Sequence, residues 1–379
     1  MIASVVLLAA FVVLVKTTSQ KREPQLDRLR VSELLARTDT TGFARATALR
    51  TFVFPTDHGP HNDYKTEWWY YTGNLVSASG ERFGFQLTFF RSALDARYTT
   101  TASGWRTNHI FMAHFAVTDV ARAKFHAFER FGRAANGLAG AHSRPFRVWL
   151  DDWCARADTT SWQDASPVMH LRAGEGNITL DLQATSKKPV VLQGEKGLSH
   201  KGEGEGNASY YYSLTQMDAV GRIGLSEREV EVTGTVWMDR EWSTSALEKD
   251  QTGWDWFALQ LSDSTELMYY RIRRTDGRPD PHSRGSLVDR RGEKTDVMPA
   301  DIIVETRDWW QSPRGGRYPA RWRVVIDKEK LDVVVEPLVA DQELDLSFRY
   351  WEGAVEVSGT RDGKPLEGVG YVELTGYAE

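Results

Sequence analysis

Two stretches of the chain repeat one arrangement of apolar and polar positions. In Thr66 to Arg91, an aromatic-rich segment around Trp69-Tyr70-Tyr71 is followed by the polar turn Ser77-Ala78-Ser79-Gly80 and a segment closing on Phe89-Phe90-Arg91. In Thr235 to Arg273, Trp256-Phe257, the turn Ser262-Asp263-Ser264-Thr265 and Tyr269-Tyr270-Arg271 follow in the same order. Each reads as a β-hairpin. One hairpin unit used twice in a chain of 379 residues predicts two similar β domains in tandem.

The rest of the chain continues in short strand-like runs. Asn108 to Asp119, Lys124 to Arg133, Pro145 to Trp153, Met169 to Ala184 and Lys188 to Gln193 follow the first hairpin. The Gly-rich loop His200 to Asn207 then leads into Tyr210-Tyr211-Tyr212. Glutamates stand between its glycines where a phosphate cradle wants backbone amides at a helix start and a nearby cation, so it reads as a flexible turn before a strand. In the second half, runs such as Val230 to Trp237, Trp254 to Leu261, Leu331 to Pro337, Tyr350 to Gly359 and Gly368 to Thr375 are broken by Asp276-Gly277, Arg314-Gly315-Gly316 and Asp362-Gly363. Beyond the N-terminus no long 3.6-residue stripe occurs. The fold class is all-β, a sandwich or closed barrels.

Composition narrows the chemistry. A net charge of -5 with both signs mixed along the chain gives no reason to expect nucleic acid as a partner. The 14 Trp cluster with Tyr and Phe in alternating segments, which suits sheets with one filled face. The single Cys154 excludes an internal disulfide and a cysteine-based zinc site, and reads as a buried, inert thiol. His109 and His114 are five apart, hence on opposite faces of a strand; the spacing argues against a shared metal and for hydrogen-bonded or cavity-lining roles. Neither a metal nor an organic cofactor is expected.

Met1 to Val15 is an uncharged apolar run, shorter than the roughly 20 residues that span a bilayer. Residues 1–20 are therefore read as a signal peptide or short membrane anchor, which places the protein in the periplasm or facing it from the membrane. Residues 21–51 read as a linker with one amphipathic patch (Leu26, Leu29, Leu34, Leu35). The two β domains are expected at 52–229 and 230–379.

Three motifs carry a family resemblance: His61-x-Asp63-Tyr64-x-Thr66-Glu67-Trp68-Trp69-Tyr70-Tyr71-Thr72-Gly73-Asn74, Trp237-x-Asp239-Arg240-Glu241-Trp242-Ser243 and Gly253-Trp254-Asp255-Trp256-Phe257. In these the chain resembles the family that groups bacterial carotenoid 1,2-hydratases of the CrtC type with AttH-like secreted proteins. The resemblance runs from about Phe52 to the C-terminus. It implies two lipocalin-like (calycin) antiparallel β-barrels side by side, and for the hydratase members cofactor-free addition of water to an isolated carbon-carbon double bond of an isoprenoid.

That reaction needs an acid able to protonate an alkene, π-faces to stabilise the tertiary cation, and a positioned water. A carboxyl in an apolar pocket has its pKa raised and keeps a proton near neutral pH. Aromatic faces attract a desolvated cation by about 2 kcal/mol or more. Asp239 or Glu241 is the candidate acid; Arg240, which stands where the hydratases carry His, and Tyr270 complete the catalytic set. Trp237, Trp242, Trp256, Glu67, Trp69 and Tyr71 are the candidate ligand-binding residues. Two plainer readings compete: Asp239 to Trp242 as an ion-paired turn with Arg240 bridging the carboxylates, and Glu67 paired with an Arg such as Arg91.

The functional expectation is an exported protein that binds a hydrophobic unsaturated, isoprenoid-like molecule and hydrates it as a hydro-lyase. The alternative is a non-catalytic periplasmic carrier that hands a lipid or polyketide to a membrane transporter of the ABC type. Orientation discriminates them: Asp239 and Glu241 facing a shared cavity without an Arg partner favours the enzyme, and both paired with basic residues favours the carrier. A Ser-His-Asp hydrolase is disfavoured, since no Gly-x-Ser-x-Gly elbow occurs.

Overall fold

The computed structural model describes residues 40–97, 103–158, 167–226, 228–245 and 247–378. The expected leader or anchor at 1–20 and the amphipathic patch lie outside them. Among the described residues the helices are three short 3-10 turns, Thr56–His58, Val120–Arg122 and Asp327–Glu329, and the rest is strand and loop.

The first sheet is built from β1 (Thr66–Ser77), β2 (Arg82–Ala93), β3 (His109–Asp119), β4 (Lys124–Arg133), β5 (Ala139–Ser143), β6 (Phe146–Leu150), β7 (Trp153–Ala157), β8 (Val168–Glu175), β9 (Ile178–Ser186), β10 (Val191–Leu192), β11 (Leu198–His200), β12 (Ala208–Leu225) and β13 (Arg228–Ser243). The second takes β14 (Gln251–Leu261), β15 (Glu266–Arg274), β16 (Arg284–Val288), β17 (Lys294–Val297), β18 (Ile303–Gln311), β19 (Arg317–Ile326), β20 (Leu331–Pro337), β21 (Glu343–Asp345), β22 (Arg349–Arg361) and β23 (Lys364–Leu374). Both are antiparallel and nearly closed, so the fold is all-β with two barrel-like units in tandem.

The repeated hairpin is present in both. In β1–β2, Trp69 stands opposite Phe89 and Glu67 opposite Arg91; in β14–β15, Phe257 stands opposite Tyr269 and Asp255 opposite Arg271. A core-facing ring pair with a buried acid, ion-paired to an Arg, two positions outside it thus occurs twice. Arg91 Nε donates to Glu67, and Arg271 Nε to Asp255 at 3.0 Å.

Two expected boundaries move. The strand expected to open the second domain at 230 belongs to the first sheet, where β13 pairs with β1 from Thr66↔Ser243 to Ser77↔Val232 and on its other side with β12. The changeover falls between Ser243 and Gln251, because the ladder partners of β13 lie upstream in the chain. Residues 43–51, expected as linker, pack onto the first barrel. Ala46 is fully buried and Tyr210 Oη donates to the carbonyl of Ala48 at 2.7 Å. Phe52 and Phe54 follow, edge-on to Tyr212, and pack against the first core.

Period-two alternation divides each strand between an inner and an outer face. Inward residues fill two separate cores, one per barrel. The outer faces of β1, β12 and β13 lie against those of β14, β15, β22 and β23, and Tyr70, Tyr211, Trp237, Trp256, Tyr270 and Tyr371 are buried between the barrels in a third cluster. At the contact, Gly84 leaves room for Ala354: a Cβ at Gly84 would meet the Ala354 Cβ at 2.6 Å. Asn74 Nδ2 donates to the Gly370 carbonyl at 2.9 Å, and Thr118 Oγ1 to Gln342 at 2.7 Å across the same junction. Cys154 is buried on β7, where burial raises its thiol pKa.

An acid-lined aromatic interface as candidate functional site

Alternation splits the Asp239 motif between two environments. Trp237, Asp239 and Glu241 face the junction between the barrels, whereas Arg240 and Trp242 face into the first barrel. On the neighbouring β1, Tyr70 stands beside Asp239 and Trp68 beside Glu241, and both face the junction; Glu67, Trp69 and Tyr71 face inward. β12 adds Ser213 beside Asp239 and Tyr211 beside Glu241.

Asp239 is 4% exposed and receives three hydrogen bonds: Ser213 Oγ and Trp237 Nε1 donate to Oδ1 at 2.5 and 2.7 Å, and Tyr211 Oη donates to Oδ2 at 2.5 Å. Among the described residues no Lys or Arg lies within ion-pair distance of it. Burial is the largest influence and raises its pKa, the three donors lower it, Glu241 raises it again, and the carboxyl is pushed up to about 7. Such a group changes protonation near neutral pH.

Glu241 has a cation beside it. Lys201, from the Gly-rich loop, places Nζ 3.4 Å from Glu241 Oε1 and 3.8 Å from the centre of the Tyr270 ring. Burial works against the Lys201 ammonium, but Glu241 and Tyr270 outweigh it and the pKa is raised. The side chain is 21% exposed and marks a rim that solvent reaches. Tyr270 Oη is within 3.0 Å of Ser199 Oγ.

The second barrel contributes two more carboxyls. Glu352 on β22 and Glu373 on β23 are direct cross-strand partners. Glu352 is buried, with Tyr70 Oη donating to one oxygen and Gln86 Nε2 to the other at 2.7 Å. Burial, then the charge of Glu373, raises its pKa far above the usual carboxylate range. Glu373 is only half-buried and its pKa is also raised, chiefly by burial and further by Asp239 and Glu241, against the lowering influence of the Trp254 side chain.

The inward residues form a different assembly. Glu67 is fully buried and ion-paired to both Arg91 and Arg240, and it accepts the backbone N–H of His61 at 3.0 Å. Burial raises its pKa, yet Arg91 and Arg240 more than reverse this and hold it well below the usual range. Arg240 also donates to the Gly59 carbonyl at 2.6 Å, and its guanidinium carbon lies 4.0 Å from the Trp69 ring centre. His61 stacks on Trp242 at 3.7 Å.

The ten candidate residues therefore fall into two sets. Asp239, Glu241, Tyr270, Trp237 and Trp256 share the interface; Arg240, Glu67, Trp69, Tyr71 and Trp242 build the interior of the first barrel. Arg240 bridges to Glu67 and not to Asp239 or Glu241, because consecutive strand residues point to opposite faces. The plainer reading of Glu67, paired with Arg91, holds. His114 is hydrogen-bonded, to Tyr350 Oη at 2.7 Å and Glu129 at 3.0 Å.

Lys201, Tyr211, Glu352 and Glu373 were not among the candidates. The two glutamates carried a readable signal, each being a carboxyl inside an otherwise apolar strand (Tyr350-Trp351-Glu352-Gly353-Ala354 and Tyr371-Val372-Glu373-Leu374). Lys201 gave none, since a lysine in a Gly-rich turn is ordinarily a solvated residue.

Fold and site together define a class: tandem lipocalin-like β-barrels whose outer faces enclose buried carboxyls among aromatic rings. The sequence profile of the AttH-like family matches residues 45–377, and the chain belongs to that family. An AttH-type protein of Nitrosomonas europaea is 35% identical and superposes with a TM-score of 0.78 over 89% of this chain and 100% of its own. Kievitone hydratase of Nectria haematococca shares the fold at 16% identity and a TM-score of 0.65, over 88% of this chain and 95% of its own. No curated protein matches in sequence.

Proposed function

We propose that the interface between the barrels binds an apolar, unsaturated, isoprenoid-like molecule and adds water across one of its double bonds by acid-base chemistry. The observation that carries this reading is Asp239: a buried carboxyl with no cationic partner among the described residues, poised near neutrality and surrounded by rings. Protonation of an alkene generates a carbocation. Trp237, Trp256, Tyr70 and Tyr270 present the π-faces that attract such a cation, each by about 2 kcal/mol or more where water is excluded. The name of kievitone hydratase, which shares the fold, is in keeping with water addition. The apolar run Met1–Val15 supports export to the periplasm or anchorage facing it.

The test is incubation of the purified full-length protein with farnesol in ¹⁸O-labelled water, followed by mass spectrometry. Incorporation of label into a tertiary alcohol, abolished by substituting Asp239 and Glu241 together with their amides, is the expected result. One observation favours the carrier reading: Lys201 neutralises Glu241. A carrier working with a membrane transporter would retain farnesol stoichiometrically and return it unlabelled.

A further inference from the structure

Four carboxyls, Asp239, Glu241, Glu352 and Glu373, lie around the aromatic cluster of the interface, and their surroundings separate what each can do. Asp239 is locked as a hydrogen-bond acceptor. Ser213 Oγ receives the Gln193 amide N–H at 2.9 Å and so turns its own proton to Asp239; Tyr211 Oη receives the Trp256 indole N–H at 3.3 Å and does the same; the Trp237 indole can only donate. Three donors favour the carboxylate form of Asp239, which is the form that can take a proton. Glu352 is sealed, both oxygens taken by Tyr70 and Gln86. Glu241 is paired with Lys201.

Glu373 differs from all three. It stands on β23 opposite Trp256 on one side and Glu352 on the other, is half-buried where the other three are buried, and has no ion-pair partner among the described residues. The Trp254 side chain beside it works to lower its pKa. The charged and titratable groups around it are Asp239 and Glu241 on β13, Glu352 and Tyr350 on β22, and Tyr70 on β1. Lys201 beside Glu241 brings a cation to this group.

We propose that Glu373 is the acid that protonates the double bond, and that Asp239 is the base that takes a proton from the incoming water. This rests on the hydration reading above. In the first step the O–H bond of Glu373 breaks as its proton forms a C–H bond with the alkene π-pair, leaving a tertiary carbocation and a Glu373 carboxylate. In the second, a water oxygen bonds to the cation and gives one proton to an Asp239 oxygen, so the product is the neutral alcohol. Solvent at the rim returns a proton to Glu373, and Asp239 releases the one it took. Burial, with the charges of Asp239 and Glu241, keeps Glu373 protonated near neutral pH, as the first step requires.

The experiment uses full-length protein carrying E373Q or D239N, with farnesol as probe and labelled water as reporter. Losing a positioned general acid is expected to lower kcat by about 10²–10⁴-fold with KM for farnesol nearly unchanged. The wild-type rate should rise with pH as Asp239 ionises and fall as Glu373 does. E373Q should abolish the alkaline limb, and D239N the acidic limb. Independently of turnover, the infrared difference between wild type and E373Q at pH 7 should contain the C=O stretch of a protonated carboxylic acid. An E373Q protein that keeps its rate and its alkaline limb, or a difference spectrum with only a carboxylate, overturns the assignment while the hydration reading stands. A wild type that adds no water to farnesol removes the reading itself and the acid role with it.

Discussion

Replacing Glu67 by Gln probes whether the inward half of the motif is structural. The substitution keeps the shape of the side chain and removes the charge that pairs with both Arg91 and Arg240, two guanidiniums whose side chains are fully buried. Removing one partner of a buried ion pair costs about 3–5 kcal/mol, because the remaining charge stays desolvated and uncompensated. Here two cations lose their counter-charge, and Arg240 keeps only neutral partners such as the Gly59 and Glu241 carbonyls and His61 Nδ1. For a unit of this size about 1 kcal/mol moves the melting temperature by roughly 2–4 °C, so E67Q should melt roughly 6–20 °C lower at pH 7. The pH dependence has a definite sign. Glu67 has a folded pKa below its unfolded one, so its contribution is present above the unfolded value of about 4.3 and is lost as pH falls through the folded value. The deficit of E67Q should therefore shrink on acidification. Differential scanning calorimetry between about pH 3 and pH 8 measures both effects. A variant that melts within a degree or two of wild type, or one that loses farnesol turnover while keeping its stability, would refute the assignment of Glu67 and Arg240 to the scaffold.

D239N should stabilise the protein more at pH 8 than at pH 5: the folded pKa of Asp239, about 7, lies above the unfolded one, so the native state loses stability as pH rises between the two. Paired thermal melts at the two pH values check this, and an equal shift at both would contradict it. K201M removes the cation beside Glu241, which also stabilises the charge on Asp239, and should move the acidic limb of the pH-rate profile to higher pH; an unmoved limb would separate Lys201 from the acid cluster. G84A forces a methyl against Ala354 and should cost about 1–3 kcal/mol by overpacking at the junction, read by urea denaturation. Glu352 lies two residues from Ala354, so farnesol turnover should fall as well.

Much of the fold follows from local pattern. Alternating rings around polar turns specify hairpins, and the two copies at Thr66–Arg91 and Thr235–Arg273 implied two units because a hairpin cannot bury its apolar face alone. Which unit owns β13 was not legible. Its neighbours in sequence are β12 and β14, and only the long-range ladder to β1 assigns it to the first barrel.

The candidate site was legible in its residue types and not in its grouping. Alternation guaranteed that Asp239 and Glu241 would face away from Arg240 and Trp242, as Trp68 and Tyr70 face away from Glu67, Trp69 and Tyr71. It left open which face would be a barrel interior and which an outer surface, since both are aromatic and both become buried. Docking of the second barrel decided this, bringing Glu352 and Glu373 from the end of the chain and Lys201 from a Gly-rich turn to the same junction. The physical reason is range. Side-chain direction is set by the backbone within a few residues, whereas burial of a charge and its choice of partner depend on surfaces that meet only when the whole chain has folded.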